Sequence, residues 1–183
     1  MHVLKKTSDS AVFLVSVFKL DFINFLKRGF AKEPLKFAAR TTSAKIKLGE
    51  GARIETPEFE GAIVFINSLE NGLCFVIITD SEYPKSASVK VLAELRRTFE
   101  EKHSYESVKN ISSDTDLQLN ESQGMIDKYQ DPHEADKLIK LESKLKEIES
   151  MLGKTMNDLL ERGDNLDELM KNSEDISQTA LHF

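Results

Sequence analysis

The sequence has one cysteine and no long apolar run. A single cysteine, Cys74, excludes an intramolecular disulfide and fits a reducing compartment. It lies in the apolar stretch from Leu73 to Ile78, so we interpret it as a small buried side chain rather than a reactive thiol. No run approaches the roughly 20 apolar residues that a helix needs to span a bilayer. We therefore predict a soluble chain that faces the cytosol.

Motifs for catalysis or ligand binding are also lacking. The four histidines are scattered without metal-ligand spacing, so we predict no metal site. The sequence has no glycine-rich nucleotide loop, no Walker A motif and no nucleophile elbow, and we predict no cofactor and no catalytic residue. The net charge of −6, without a clustered basic face, argues against a nucleic-acid partner. These observations disfavour an enzyme.

The sequence does contain a heptad pattern in its C-terminal part. Apolar residues recur at alternating steps of three and four, which is the spacing of the a and d positions of a coiled coil. We call this line of positions the heptad seam. Besides Arg162, its members are Leu138, Leu141, Leu145, Ile148, Leu152, Thr155, Leu159, Leu166, Leu169, Ser173, Ile176, Ala180 and Phe183.

Arg162 is the one charged residue of the seam. The apolar positions keep their phase on both sides of it, with Leu159 before and Leu166 after. A guanidinium in a coiled-coil core is costly because its charge loses water and its donors need acceptors. Either the helix is locally out of phase at this point, or partner helices supply the acceptors.

The N-terminal part is predicted to be α+β. Runs of β-branched and aromatic residues predict strands, and Asn71-Gly72 is a strong hairpin signal. The residues from Lys47 to Glu58 resemble an edge strand because they contain glycine and proline. The predicted elements are a short strand at 2–6, a strand at 11–18, a helix from Pro34 to about Ile46, the edge strand, a hairpin over 61–79 and a helix over 85–102.

The composition divides the chain into three regions, namely an α+β domain at 1–103, a flexible polar linker at 104–127 and the heptad region at 128–183. Asp131 and Pro132 suit the start of the heptad helix. A lone helix has nothing against which to bury an apolar seam. We expect the heptad region to be partly disordered, or folded onto the N-terminal domain, until partners arrive.

The segments 129–138 and 159–169 closely resemble the SNARE motif of R-SNAREs, with the Ykt-type, lipid-anchored R-SNAREs as the nearest group. The segments 25–28 and 77–84 are similar to the longin domain of that family. The resemblance implies a profilin-like longin domain, which is an antiparallel five-stranded sheet with flanking helices, followed by a long heptad-repeat SNARE helix.

The resemblance also implies a function. Arg162 would be the zero-layer arginine that meets one glutamine from each of three partner helices (Qa, Qb and Qc) in a four-helix bundle. That bundle would drive vesicle-membrane fusion in ER, Golgi, endosomal or vacuolar trafficking. The longin domain would fold back on the SNARE motif as an autoinhibitory regulator, and Phe37 falls where the family has an aromatic residue that supports this closed state.

The family's lipidation signal, a cysteine-containing prenylation box, is absent from the sequence. Because the seam also stops before the family's last layers, we expect the natural chain to continue past Phe183 to a lipid anchor. This implies a cytoplasmic protein that cycles to the cytosolic face of Golgi, ER and vesicle membranes. The alternative hypothesis is a cytosolic coiled-coil adaptor whose α+β domain binds a small GTPase or a sorting factor.

Overall fold

The computed structural model describes residues 1–21, 28–59, 61–138, 148 and 152–181, and these form an α+β fold, as predicted. The strands are β1 (His2–Lys6), β2 (Ala11–Ser16), β3 (Gly51–Glu55), β4 (Ile63–Ser68), β5 (Leu73–Thr79) and β6 (Leu152–Lys154). The α-helices are α1 (Arg28–Lys45), α2 (Lys85–Lys102), α3 (Tyr105–Val108), α4 (Asn120–Lys128), α5 (Pro132–Asp136), α6 (Leu166–Lys171) and α7 (Gln178–Leu181).

The sheet has six strands in the order β2-β1-β5-β4-β3-β6. Five of them form the antiparallel sheet that the resemblance predicted. The sixth, β6, comes from the heptad region and runs parallel to β3. The strand β3, predicted to lie at an edge, therefore has a neighbour on each side. Without β6, the N–H and C=O groups on the outer side of β3 would be free to pair with another strand. Nothing in the local sequence of Leu152–Lys154 identifies those residues as that strand.

The strands β4 and β5 form the predicted hairpin. The N–H of Gly72 donates to the carbonyl of Leu69 at 3.0 Å, which places Glu70 and Asn71 at the centre of the turn. Gly72 then follows with a φ of 89°. A residue with a Cβ atom is strained in that conformation, so Gly72 is the residue of the Asn71-Gly72 pair that this hairpin requires.

Each face of the sheet is covered by one long helix. On one face, α2 packs Leu92, Leu95 and Phe99 into the core, and the ring of Phe99 meets that of Phe75 edge to face at 5.8 Å. On the other face, α1 contributes Phe37 to a second core. Successive side chains of a strand point to opposite faces of the sheet, so the sheet contributes to both cores and separates them.

The helix α1 begins at Arg28, earlier than predicted, and Pro34 lies inside it rather than in its first turn. A proline has no N–H, so a helix that continues through it lacks one backbone hydrogen bond. The predicted start at Pro34 was therefore wrong, whereas the helix predicted over 85–102 agrees with α2 at both ends.

The residues 104–127, predicted to be a flexible linker, contain α3 and most of α4. Val108 and Leu119 are buried in the α2-side core. The N–H of Thr115 donates to the carbonyl of Phe13 at 2.8 Å, along the open side of β2. Polar composition concealed this order because the buried residues are few and follow no helical or strand period.

The C-terminal part differs from one continuous helix. Residues 152–181 form β6, a 3-10 turn at Met156–Asp158, α6 and α7. We call residues 152–181 the C-terminal segment, and it lies against the N-terminal domain. The long heptad helix that the resemblance implies is absent from residues 152–181 of this free chain, because an isolated amphipathic helix gains most of its stability only from a packing partner.

Candidate functional site

The C-terminal segment first joins the sheet. Leu152, Gly153 and Lys154 lie opposite Ala52, Arg53 and Ile54 in parallel register. The Nζ of Lys154 also donates to the carboxylate of Glu50 at 3.2 Å. An extended segment added to a sheet edge gains main-chain hydrogen bonds that need no particular side chain. The strand β6 thus anchors the segment at β3.

After β6 the segment crosses onto the α1 face and buries apolar side chains there. Met156 is fully buried, and Leu159, Leu166 and Ile176 are at most 9% exposed. They belong to the same core as Phe37 of α1. Burying an aliphatic side chain of this size stabilises a fold by roughly 1.5–3 kcal/mol. The segment is therefore held chiefly by apolar contacts.

Local caps explain why the segment is divided into short elements. The N–H of Thr155 donates to the carboxylate of Asp158 at 2.6 Å, and this capping interaction starts the 3-10 turn. The side chain of Asn165 accepts from the N–H of Glu168 at 3.1 Å and so starts α6. Between them, Gly163 has a φ of 95°, which an L side chain rarely adopts.

Arg40 of α1 holds the segment by charge. Its Nε and Nη2 atoms donate to the two carboxylate oxygens of Asp175 at 2.7 and 2.9 Å. It also donates to both oxygens of Asp114 and to the carbonyl of Ala11. One guanidinium therefore joins α1, the edge strand β2, the 104–127 region and the C-terminal segment, in the bidentate geometry that arginine favours.

Two further contacts lie on the same helix. Lys45 forms a 2.7 Å ion pair with Asp164, and the carboxylate of Glu33 accepts from both the N–H and the Oγ of Ser177, at 2.8 and 3.0 Å. Glu33, Arg40 and Lys45 therefore lie along α1 with one C-terminal partner each, so polar contacts follow the segment from Asp164 to Ser177.

These contacts lower the pKa values of two carboxylates. The hydrogen bond from Arg40 lowers the pKa of Asp114 below its ordinary value of 3.8, and that from Lys45 lowers the pKa of Asp164 in the same way. Because both pKa values are depressed in this fold, their stabilisation is present above pH 3.8. It is lost as the pH falls through the lower, folded values.

The earlier part of the heptad region lies on the α2 face. Asp131 caps α5 by accepting from the N–H of His133 at 3.0 Å, as predicted. Lys90 of α2 forms a 2.7 Å ion pair with Asp136. Leu138 packs against the α2-side core and Ile148 is buried in it. The heptad region therefore covers the α2 face first, then the β3 edge, then the α1 face.

The predicted seam residues are distributed unevenly in this arrangement. Ile148, Leu159, Leu166 and Ile176 are buried, whereas Leu169, Ser173 and Ala180 are half-buried and Thr155 is exposed. Arg162 is exposed in the turn before Gly163 and has no hydrogen-bond or ion-pair partner among the described residues. Leu141, Leu145 and Phe183 lie outside the described residues, and for Leu152 only the backbone is described.

Phe37, which the resemblance predicts to be the closed-state contact, is 2% exposed and, with Leu169, lines a cavity of about 720 Å³ between α1 and the C-terminal segment. Sequence reasoning did not place Met156, Arg40 or Asp175 at this site. Met156 lies off the seam, and an arginine on a helix surface gives no local signal of its partners. Only the fold brings Asp175 to Arg40.

A second cavity, of about 500 Å³, was also not predicted. Apolar side chains from at least five separate stretches line it, so no local pattern marks it; they include Val17, Leu20, Leu35, Ile77, Val91 and Ile126.

Metal binding, membrane spanning and a reactive thiol have little support in the part of the chain that the structure describes. Across the described ranges, no three His, Cys, Asp or Glu side chains are placed to hold a metal ion. Over the same ranges, no helix is both long enough and apolar enough to cross a membrane. The thiol of Cys74 is buried, and burial raises its pKa, which keeps it in the unreactive protonated form.

The sequence matches the profile of the Longin family, described as a regulated-SNARE-like domain, over residues 24–121. It is 30% identical to "Synaptobrevin homolog YKT6" of Yarrowia lipolytica over 184 residues, which cover 99% of this chain and 90% of that protein. It is 31% identical to "VAMP-like protein YKT61" of Arabidopsis thaliana over 180 residues, with 96% and 86% covered. The Saccharomyces cerevisiae "Synaptobrevin homolog YKT6" is 28% identical over 182 residues, with 99% and 90% covered.

Proposed function

This chain belongs to the Ykt-type longin SNARE family, and from that membership we propose that it is an R-SNARE that adds one helix to a four-helix bundle. SNAREs of this family act in vesicle trafficking and are not enzymes. In the bundle, Arg162 lies at the centre and meets one glutamine from each of three partner helices, Qa, Qb and Qc. Assembly from the Leu138 end toward Phe183 brings two membranes together and drives their fusion.

The spacing of the seam supports the bundle. Only a continuous helix aligns positions three and four residues apart on one face. The short elements of the free chain leave Thr155 and Arg162 in solvent instead. Three glutamine side chains can accept from the five donors of a guanidinium. Arg162 thus remains hydrated until the acceptors arrive with the partners.

The longin domain acts as an autoinhibitory regulator. The observation that carries this proposal is the burial of Leu159, Leu166 and Ile176 against the α1 face. Each is also a seam residue, so a copy of the chain cannot place them on the domain and in a bundle at the same time. Phe37 is the closed-state contact on the domain side.

Membrane attachment is through a lipid anchor rather than a spanning helix. The protein then cycles between the cytoplasm and the cytosolic face of Golgi, ER and vesicle membranes. The assembly of this chain with partner helices is measurable in solution by the experiment that follows.

Circular dichroism tests the bundle directly. Mixing the chain with three Gln-bearing SNARE helices is expected to raise helicity and to give a thermally resistant complex. Replacing the three glutamines by leucine should destabilise the wild-type complex by about 3–5 kcal/mol, because the charge of Arg162 then lies buried without acceptors. The complex of Arg162→Ala should lose little by the same replacement.

Lys171→Ala is the matched control, because Lys171 is an exposed cation off the seam and should respond to the glutamine replacement as the wild type does. Equal losses for wild type and Arg162→Ala would remove Arg162 from the centre of the bundle. No gain in helicity in any mixture, together with a stable homo-oligomer of the chain alone, would favour the coiled-coil adaptor.

A further inference from the structure

Two buried residues of the C-terminal segment do not belong to the heptad seam. Met156 is fully buried in the α1-side core, whereas its neighbour Thr155 is the seam residue and is exposed. The carboxylate side chain of Asp175 is 6% exposed at Arg40 and lies between the seam residues Ser173 and Ile176. The closed arrangement and the bundle therefore use different, overlapping sets of side chains.

We propose that Met156 and Asp175 are selectivity residues, which stabilise the closed form without contributing to the layers of the bundle. This inference rests on the proposed function. The seam residues Leu159, Leu166 and Ile176 are needed in both states, so changing them alters both. Met156 and Asp175 are buried positions at which closure can be changed while the layers stay intact.

The geometry of Met156 separates the two states. Successive residues of an α-helix are 100° apart around its axis, so a helix that turns Thr155 toward the bundle core turns Met156 away from it. In the closed form, Met156 lies in the 3-10 turn that follows β6, and this turn buries Met156 and leaves Thr155 in solvent. An unbranched thioether side chain adapts well to such an irregular gap.

The contact of Asp175 is specific to the closed form as well. Both of its oxygens accept from Arg40, at 2.7 and 2.9 Å. Asp175 is nearly excluded from water, so the pair depends on good geometry, which the bidentate contact supplies. On a continuous helix the same carboxylate lies beside the seam, in solvent, and Arg40 remains on the domain.

Hydrogen exchange of the free chain and the thermal midpoint of the assembled complex test the two halves of the inference. Truncating a buried methionine to alanine removes enough packing for Met156→Ala to raise exchange of the β6 and 156–176 amides by at least about 30-fold. Asp175→Asn should also raise exchange, since it leaves Arg40 with one carboxylate partner fewer. Neither variant should change the midpoint of the complex, and both should assemble faster.

Leu159→Ala is the matched control, because it truncates a buried residue that also lies on the seam. It should raise exchange like Met156→Ala but also lower the midpoint of the complex. Exchange of the β4 and β5 amides, which form hydrogen bonds within the domain's own sheet and not with the segment, reports whether the domain itself stays folded in each variant.

Unchanged exchange in Met156→Ala and Asp175→Asn, with normal assembly, would overturn the inference and leave the proposed function standing. A midpoint lowered as much in Met156→Ala as in Leu159→Ala would overturn it too. Failure of the wild-type chain to assemble would overturn the proposed function, and the selectivity claim with it, whatever the exchange rates.

Discussion

Arg162 shows at the residue scale how one side chain can suit two arrangements. In the free chain it is exposed beside Gly163, so its charge keeps its water. Burying that charge without acceptors would destabilise the closed form by several kcal/mol. The closed form avoids this because its core uses Met156, Leu159 and Leu166 but skips the arginine. We therefore expect Arg162 to be buried only in a bundle that supplies acceptors and to stay in solvent on the domain surface.

Phe37 allows a prediction at the same scale. Phe37→Glu places a carboxylate in the core that α1 shares with the C-terminal segment. We expect exchange of the 156–176 amides to rise more than that of β4 and β5, because the segment has fewer other contacts with the domain. The measurement is hydrogen exchange of the free chain, followed by mass spectrometry or NMR.

Phe75→Ala is the comparison for Phe37→Glu, since Phe75 is equally buried but lies on the α2 face. Phe75→Ala should raise hydrogen exchange of the sheet amides at least as much as that of the 156–176 amides. If Phe37→Glu gave that same pattern, or left exchange in the segment unchanged, Phe37 would have only a structural role in the domain.

At the scale of the element, the sequence of the C-terminal segment gives similar local support to the short elements of the structure and to the proposed continuous helix. The caps at Asp158 and Asn165 favour the short elements of the closed form. The leucines and charged residues between them are good helix formers. Gly153 and Gly163 weaken a continuous helix by roughly 0.5–1 kcal/mol each relative to alanine. Packing, rather than propensity, therefore decides which conformation forms.

Gly163→Ala is predicted to shift this balance toward the helix by about 2 kcal/mol. Roughly half comes from strain, because Gly163 has a φ of 95° and a Cβ there is unfavourable by about 1–2 kcal/mol. The rest comes from higher helix propensity. A Cβ at this position meets no atom within 4 Å, so no clash adds to the effect. Faster exchange of the α6 amides and faster assembly with partner helices would measure the shift.

Gly153→Ala is the control for this prediction. Its added Cβ also meets nothing within 4 Å, and alanine is favoured over glycine in strands as well as helices, so the gain in the two states nearly cancels. A shift as large for Gly153→Ala as for Gly163→Ala would show that backbone strain at Gly163 is not involved.

Local signals determined what could be predicted of these elements. The helix α2 and the β4–β5 hairpin follow from side-chain periodicity and from Gly72, which act within a few residues. The pairing of Leu152–Lys154 with β3 joins residues about a hundred positions apart, and no periodicity signals it. The same applies to Arg40 and Asp175. The heptad seam could be predicted because its residues are periodic. In the closed form, seam residues are buried without that period, so their contacts with the domain could not be predicted.

At the scale of the whole molecule, the heptad region wraps one domain on both faces. It covers the α2 core with Ile148, adds β6 at the open edge and then covers the α1 core with Met156. The proposed opening would expose two apolar surfaces and one strand edge. A regulator or partner must therefore supply contacts that replace this burial, as a four-helix bundle does with its layers.

NMR secondary chemical shifts at Leu152–Lys154, recorded for the free chain and after addition of the three Gln-bearing helices, test most directly whether one segment changes from strand to helix. We predict extended shifts and cross-strand contacts to β3 in the free chain, and helical shifts without those contacts in the complex. Helical shifts already present in the free chain, or extended shifts that persist in a fully assembled complex, would contradict the exchange between domain and bundle.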